Sequence, residues 1–111
     1  MTPTYTLNLF DILPGKEAMY RKYSVEAGRI IFALGGKVLC SGWHPTTLRG
    51  EETRSYLIVV EFPTLEAVHQ FLYKPEHAAV HKLREDSTDN YIWKIMEPWD
   101  LKTWVAFPSL K

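Results

Sequence analysis

Residues 55–62 read SYLIVVEF, and they carry the clearest secondary-structure signal in the chain. Valine, isoleucine and aromatic side chains dominate this run, which is typical of a strand inside a sheet. The pair Pro63-Thr64 follows directly and opens a segment whose apolar residues recur at helical spacing, at Leu65, Val68, Phe71 and Leu72. A strand that leads straight into a helix is therefore predicted here.

The flanking sequence predicts the remaining elements by the same criteria. A strand is expected at residues 5–12, and Pro14-Gly15 ends it. A helix is expected from residue 16 to about 34, closed by Gly35-Gly36. Its predicted buried stripe consists of Met19, Tyr23, Ala27, Ile30, Ile31 and Leu34. Further strands are predicted at residues 37–43 and 90–96, a loop at 44–53, and a second helix that Pro75 interrupts before it continues to about residue 86.

The resulting order β-α-β-β-α-β predicts an α+β protein with the ferredoxin-like arrangement over residues 1–97. The strand at residues 55–62 places large apolar side chains on both faces of the sheet, and the helices can cover only one of them. We therefore expect a homodimer with its sheets packed face to face. The tail at residues 98–111 carries Trp99, Trp104 and Phe107, and it is expected to pack on the dimer or over a pocket.

Composition excludes several classes of partner. The 111 residues contain 13 Lys+Arg and 13 Asp+Glu, so there is no basic surplus to bind nucleic acid or an anionic membrane. No secretory signal or membrane span is recognisable, and a cytoplasmic protein is expected. The single cysteine, Cys40, cannot form an internal disulfide and is expected as a buried thiol.

The strongest candidates for chemistry lie after Pro75. His77, His81 and Arg84 are spaced i, i+4, i+7 and share one helix face. Imidazoles can move protons near neutral pH, and a guanidinium can hold an oxyanion or carboxylate. The alternative is that they form a solvated outer face, or that Arg84 makes a structural ion pair with Glu61.

Two tyrosines and one asparagine could add to such a site. Tyr23 belongs to the buried stripe of the first helix, Tyr56 to the strand that follows the loop, and Asn8 to the otherwise apolar first strand. Phenols and an imidazole around an apolar pocket would suit proton transfer to a carbonyl substrate. The alternative is that these are core tyrosines with satisfied hydroxyls.

Metal binding is weakly indicated. His77 and His81 have the spacing of two helical ligands, and His44, His69 or Glu61 could supply a third. The glutamate of an H-E-x-x-H motif is missing, because Ala78 stands in its place. No metal and no other cofactor is therefore expected.

Several short segments stand out by their order and spacing: the pair Tyr20/Tyr23, Gly35-Gly36, VEFP at 60–63, FLYKPEH at 71–77, and Arg84. Together they resemble the DUF1330 group of dimeric α+β barrel proteins over roughly residues 5 to 97. The resemblance implies the ferredoxin-like dimer and says little about the reaction. The chain departs from the group at Ser41, where an arginine is usual, at Arg49, where a glutamate is usual, and at His77, where a tyrosine is usual.

Olivetolic acid cyclase, an aldol cyclase of the same superfamily, is similar at several of these positions. Residues 74–77, KPEH, are similar to its motif with a histidine after a proline, and Tyr23 matches a pocket tyrosine. A pocket histidine of that enzyme falls at Tyr56, and its catalytic tyrosine falls at Phe71. The resemblance leaves open whether Tyr73 replaces the missing phenol.

Heme-degrading monooxygenases of the fold offer a second comparison. Asn8 and His81 could match their strand asparagine and their iron-binding histidine, but Phe71 stands where they have a tryptophan. Cofactor-free monooxygenases that form quinones share the fold as well. Both groups remain alternatives.

The leading hypothesis is a cofactor-independent enzyme that acts on a small aromatic or polyketide-like carbonyl compound, as a cyclase, lyase or isomerase. His77 is the expected general acid or base, and Arg84 is expected to steady charge. Tyr23 and Tyr56 would orient or protonate the carbonyl oxygen. Further substrate contacts are expected at Asn8, Trp43, Phe71, Tyr73 and His81. A monooxygenase, cofactor-free or heme-dependent, and a stress-associated ligand-binding protein without turnover are the alternatives.

Overall fold

A computed structural model of the chain describes residues 2–106, which form a ferredoxin-like α+β fold. The elements are β1 (Thr4–Ile12), α1 (Glu17–Ala33), β2 (Lys37–Trp43), β3 (Tyr56–Phe62), α2 (Leu65–Tyr73), α3 (Ala78–Ser87), β4 (Thr88–Met96) and α4 (Leu101–Ala106). The four strands form one antiparallel sheet in the order β2-β3-β1-β4. The predicted fold class and element order are confirmed. Within the described residues, no helix is long and apolar enough to cross a membrane.

The break between α2 and α3 arises where the sequence predicts it. Lys74 is extended, with ψ of 127°, because the ring of Pro75 crowds a helical residue before it. A single 3₁₀ turn, Pro75–His77, then leads into α3. At the other end, α2 is capped by Thr64, whose hydroxyl accepts a hydrogen bond from the backbone N–H of Ala67 at 3.0 Å.

The glycine pair after α1 is needed for the close approach of the helix to the sheet. Gly35 has φ of +80°, a conformation that glycine adopts without strain. At Gly36, an added Cβ would lie 2.9 Å from Cγ2 of Ile31 and 3.1 Å from the backbone oxygen of Glu61. The chain can therefore turn from α1 into β2 only with small residues at this point.

The buried stripe of α1 differs in phase from the prediction at its first turn. Tyr20, Tyr23, Ala27 and Ile31 are buried, whereas Met19 is only half-buried. Both residues are apolar enough to face the core, so composition does not separate them. Residues three positions apart lie on the same face of a helix, so Tyr20 shares the buried face with Tyr23.

The two faces of the sheet are covered unequally. Thr6, Asn8 and Phe10 of β1 alternate onto the helix-covered face and are buried with the core. On the opposite face, Leu7 of β1 and Val59 of β3 are register partners, and both are only half-buried. This apolar face is the one on which the predicted second copy would pack. The homodimer itself stays a prediction.

One prediction, the burial of Cys40, is wrong, and so is one alternative, the ion pair between Glu61 and Arg84. Cys40 is exposed, because β2 is an edge strand whose seven residues are all exposed. Glu61 does not pair with Arg84. The strand register places Lys37 beside Glu61, and Lys37 Nζ lies 3.4 Å from Glu61 Oε2. The nearest described carboxylate to Arg84 belongs to Glu85, at 3.6 Å.

The C-terminal tail does not join the core of the single chain as far as it is described. Trp99 and Trp104 pack edge to face, with ring centroids 5.6 Å apart, and they remain 65% and 51% exposed. α4 has no buried residue among its six. Phe107 lies outside the described residues. Packing of the tail on a dimer therefore stays a prediction.

Candidate functional site

An inner cavity of about 200 Å³ lies between α1 and the helix-covered face of the sheet. Its apolar walls include Ala27, Ile31, Val60, Phe62 and Phe71, and its polar lining includes Asn8, Tyr20, Tyr23 and Trp93. A dry apolar cavity of about 150 Å³ is large enough to bind benzene. The inner cavity can therefore hold a one-ring aromatic compound with short substituents.

Three polar atoms of the cavity lining are buried without a hydrogen-bond partner among residues 2–106. They are Oδ1 of Asn8, the hydroxyl of Tyr20 and Nε1 of Trp93, called the cavity atoms below. Most buried polar groups in folded proteins are paired, because an unpaired one loses its hydration without compensation. The residues that carry these three atoms all line the one cavity, so a ligand or an ordered water there would lie beside polar groups that lack a partner.

Secondary structure fixes the cavity atoms on two sides of the cavity. Asn8 and Trp93 are direct register partners across β1 and β4. Tyr20 approaches from α1, and its ring centroid lies 5.4 Å from that of Tyr23 on the next turn. Because strands and helices hold side chains more firmly than loops do, these groups form a preorganised site.

The two phenols are protonated at neutral pH. Burial raises the pKa of Tyr23 to about 12, although the positive charge of Arg84 acts in the opposite direction. Burial, with Tyr23 adding to it, raises the pKa of Tyr20 further above the ordinary value of a phenol. Both hydroxyls are therefore hydrogen-bond donors suited to a carbonyl oxygen, and neither is a base.

Arg84 places a positive charge behind the wall of the inner cavity. Its side chain is 13% exposed, and its guanidinium carbon lies 5.1 Å from the centre of the Trp93 ring. Because little water screens it there, the positive charge of the guanidinium stabilises negative charge on nearby atoms. This position suits the predicted role of Arg84 in steadying charge, which remains a prediction.

The two histidines are both tied to the last turn of α2. Nδ1 of His77 lies 2.9 Å from the carbonyl oxygen of Gln70 and 3.2 Å from that of Phe71. Nε2 of His81 lies 2.6 Å from the same Phe71 oxygen. Because a carbonyl oxygen only accepts, each of these nitrogens carries the proton. The lone pair then belongs to Nε2 of His77 and to Nδ1 of His81.

His81 is the more enclosed of the two imidazoles. Its ring contacts Phe71 edge to face with centroids 4.8 Å apart, and its centroid is 6.3 Å from that of Tyr23. Nδ1 is buried and meets no hydrogen-bond partner in the described part of the chain. Burial lowers the pKa of His81, so the ring is neutral at pH 7.

An outer cleft of about 410 Å³ adjoins the inner cavity and shares Tyr20, Ser24, Ser41 and Ile58 with it. Trp43 and Tyr56 line the cleft, and Tyr56 stacks on Phe10 with ring centroids 5.4 Å apart. Glu17 and Arg21 line it from α1. A substrate with a second ring or a chain could extend from the inner cavity into this cleft.

The structure brings some of the predicted site residues together and separates others. Asn8, Tyr23 and Phe71 line the inner cavity, whereas Trp43 and Tyr56 line the outer cleft. His81 and Arg84 stand behind the inner wall, against Phe71 and Trp93 respectively. Of the described residues, Tyr73 and His77 line neither of these two cavities. Tyr73 is 73% exposed beside His69, and His77 ends the 3₁₀ turn after α2, with its ring against the last turn of that helix.

Sequence reasoning missed Tyr20 and Trp93 as site residues. Tyr20 had a usable signal, because it precedes Tyr23 by three residues and so shares its helix face. Trp93 had none beyond its place in the last predicted strand. Its position opposite Asn8 depends on the register of β1 and β4, which pairs residues distant in sequence.

The surroundings of His81 do not fit a heme. Iron binds the lone pair of an imidazole nitrogen, but Nε2 of His81 donates its proton to the Phe71 carbonyl at 2.6 Å. The other nitrogen, Nδ1, is enclosed by the core. In the described range 2–106, no three His, Cys, Asp or Glu side chains form a cluster that could hold a metal ion.

Comparisons with known proteins agree with this fold. The family model for DUF1330, a domain of unknown function, matches residues 5–97. No curated protein matches the chain. The solved structure of RPA0582, a protein of unknown function from Rhodopseudomonas palustris, is 22% identical, with a TM-score of 0.80 over 89% of this chain and 84% of that one.

Two further solved structures show the same fold at lower identity. SnoaB, a cofactor-independent oxygenase from Streptomyces nogalater, is 12% identical, with a TM-score of 0.64 over 90% of this chain and 96% of that one. A dimeric protein of unknown function from Bacteroides fragilis is 16% identical, with a TM-score of 0.60 over 86% of this chain and 96% of that one.

Proposed function

This chain belongs to the DUF1330 family, and from that premise we propose that it is a cofactor-independent enzyme acting by acid–base chemistry on a small aromatic or polyketide-like carbonyl compound. The reaction would be of the cyclase, lyase or isomerase type. The observation that carries the proposal is the apolar inner cavity with its three buried cavity atoms. An apolar pocket with a few convergent polar groups is the usual form of a small-molecule site.

The phenols of α1 supply the electrophilic side of this chemistry. When a proton leaves the carbon next to a carbonyl, negative charge develops on the carbonyl oxygen. Tyr20 and Tyr23 are protonated at neutral pH and can donate hydrogen bonds to that oxygen. The charge of Arg84 behind the cavity wall stabilises the same oxyanion. Tyr56 would orient the part of the substrate that lies in the outer cleft.

The basic side of the reaction needs an imidazole lone pair. His77 is the base expected from the sequence, with its lone pair on Nε2, but it lies outside both cavities. His81 is closer to the inner cavity, since its ring contacts Phe71 of the cavity wall, but its Nδ1, which carries the lone pair, is enclosed behind that wall. We favour His81 as the proton acceptor, through one ordered water that a local opening of the wall beside Phe71 would admit to Nδ1, with His77 holding the end of α2.

Proton exchange on a model ketone tests this proposal. Proton NMR in heavy water follows the loss of the methyl signal of meta-hydroxyacetophenone as its protons exchange for deuterium. The protein is expected to accelerate this exchange, and Tyr23→Phe and His81→Gln are expected to slow the catalysed rate by about tenfold or more. The matched control is Tyr73→Phe, whose exposed hydroxyl lies outside both cavities.

The same experiment separates the enzyme from a ligand-binding protein without turnover. If the probe binds in the inner cavity but no pH between 6 and 9 gives faster exchange than buffer, roughly the range in which a neutral imidazole can act as a base, the catalytic proposal is wrong. A loss of exchange in His77→Gln, with His81→Gln unaffected, would instead return the role of base to His77.

A cofactor-free oxygenase is the second candidate, and the likeness to SnoaB favours it. Such an enzyme would oxidise a phenolic substrate with O₂ to a quinone, with one oxygen atom entering the product and the other leaving as water. Oxygen uptake that depends on both the protein and a phenolic substrate would support this candidate over the acid–base reaction.

We further propose that the protein works as a cytoplasmic homodimer. The half-buried apolar face of the sheet supports this assembly, and one structural neighbour is described as dimeric. An apolar face of this kind is usually covered by another layer of structure. The exposed Trp99 and Trp104 of the tail would be covered in the same assembly.

A further inference from the structure

We infer that the inner cavity selects compounds that carry both a hydroxyl group, phenolic or enolic, and a separate carbonyl group. This inference rests on the proposed function, because it names the substrate class of the same site. It follows from the mixed hydrogen-bonding character of the three cavity atoms, which no purely apolar ligand and no simple ketone can satisfy.

The cavity atoms differ in what they can donate and accept. Oδ1 of Asn8 only accepts a hydrogen bond, and Nε1–H of Trp93 only donates one. The hydroxyl of Tyr20 can do either, and it is protonated at neutral pH. A ligand hydroxyl can donate to Asn8 and accept from Trp93 at the same time, whereas a ligand carbonyl can accept from Tyr20.

The placement of the three groups matches two separate ligand substituents. Asn8 and Trp93 are register partners, so their Cβ atoms are about 5 Å apart on one face of the sheet. An acceptor and a donor at that separation could bond to each other, but neither forms such a bond within residues 2–106. Both are therefore free to hold one hydroxyl on the sheet side, while Tyr20 meets the carbonyl from the α1 side.

The apolar walls make the cavity discriminate between ligands that bond to all three cavity atoms and ligands that do not. The cavity atoms are buried, and the walls around the cavity include the apolar Val60, Phe62 and Phe71, so a ligand that does not bond to one of these atoms leaves it without a partner. A site built to bond a ligand hydroxyl discriminates strongly against an analogue that lacks it. We expect a penalty of about tenfold or more in Kd for each group that is missing.

Three probes of nearly equal shape test the inference by isothermal titration calorimetry on the full chain. The parent probe is meta-hydroxyacetophenone, in which the meta position prevents an internal hydrogen bond. In meta-methylacetophenone a methyl group replaces the hydroxyl. In meta-isopropylphenol the hydroxyl is kept, and an isopropyl group replaces the acetyl group, so that a methyl group stands in the place of the carbonyl oxygen. The parent is expected to bind about tenfold or more tightly than either analogue.

Two substitutions assign each preference to its residue. Asn8→Leu is expected to reduce the preference for hydroxyl over methyl, because only Trp93 then bonds to the hydroxyl, and to keep the preference for the carbonyl. Tyr20→Phe is expected to do the reverse. Tyr73→Phe is the control and should change neither preference, because its side chain lies outside both cavities. If Asn8→Leu fails to fold, Tyr20→Phe, which removes a single oxygen atom, still tests the carbonyl half.

Equal affinity for the three probes, or a parent probe that does not bind, would overturn the inference. So would preferences that neither substitution reduces. Failure of the proposed function looks different, because the probes would then bind with the expected preferences while the protein fails to accelerate methyl exchange. Accelerated exchange without any preference among the probes would leave the proposed function standing and remove this inference.

Discussion

Asn8 of β1 and Trp93 of β4 lie directly opposite each other in the sheet, yet Oδ1 of Asn8 and Nε1 of Trp93 bond neither to each other nor to any other described residue. Each unpaired buried group of this kind costs about 1–3 kcal/mol of folding free energy. A sheet that keeps such unpaired groups between β1 and its edge strand β4 gives up stability that a ligand could restore.

Tyr20→Phe is expected to stabilise the ligand-free protein by up to about 1–2 kcal/mol, because it removes a buried hydroxyl that has no partner among residues 2–106. The same change should weaken binding of meta-hydroxyacetophenone. Urea unfolding with and without the probe measures both effects. The control Tyr73→Phe should move neither. A Tyr20→Phe protein less stable than wild type by more than about 1 kcal/mol would mean that the hydroxyl is paired in the native state.

His81 should make stability depend on pH. Burial lowers the pKa of His81 below its ordinary value of 6.5, so between the two values the unfolded chain binds more protons than the folded one. The stabilising contribution is fully present above about pH 6.5 and is lost as the pH falls from there towards the folded-state pKa.

Urea midpoints at about pH 7.5 and pH 5, on either side of the ordinary histidine pKa, check this prediction. The wild type should lose more stability between these two points than His81→Gln does. Equal losses in the two proteins would show that the His81 pKa is not lowered by burial.

Disrupting the open face of the sheet should abolish the dimer. Val59→Lys places a charge on the apolar face at which the second copy is proposed to pack, whereas Leu48→Lys places the same charge on a loop residue that is 95% exposed. Analytical ultracentrifugation at micromolar concentration should find dimers for wild type and Leu48→Lys and monomers for Val59→Lys, with circular dichroism confirming that all three are folded. A monomeric wild type would refute the homodimer.

Removing the tail should lower solubility or melting temperature. Trp99 and Trp104 are half or more exposed in the single chain, and the proposed dimer would cover them. Truncation after Glu97 removes both rings together with the surface that they would bury. Unchanged solubility and an unchanged melting temperature would show that the tail packs on nothing.

Local signals were sufficient for the elements of the fold. The run at residues 55–62, the glycine pair after the first helix and Pro75 each restrict the backbone by themselves, and the strand, turn and helix break that they predict are present, whereas β4 begins two residues earlier than predicted and α4 was not predicted. The predicted buried face of α1 was wrong at the first turn, because methionine and tyrosine are both acceptable at a core position. The neighbouring strands and helices, which decide between Met19 and Tyr20, are distant in sequence.

Partner choice across the sheet could not be read from the sequence. Glu61 pairs with Lys37 because the register of β2 and β3 makes them neighbours, although Arg84 is an equally good chemical partner. The exposure of Cys40 follows from the position of β2 at the sheet edge. The pairing of Asn8 with Trp93, on which the candidate site depends, is a register relation of the same kind.

Intermolecular proton NOEs in a complex with meta-hydroxyacetophenone test most directly whether the inner cavity is the functional site. The buried methyl groups of Ala27 and Ile31 line that cavity, whereas the methyl groups of Leu48 are exposed on a loop. We predict NOEs from the probe to Ala27 and Ile31 and none to Leu48. NOEs confined to exposed methyl groups such as those of Leu48, with none to Ala27 or Ile31, would contradict the assignment of function to this cavity.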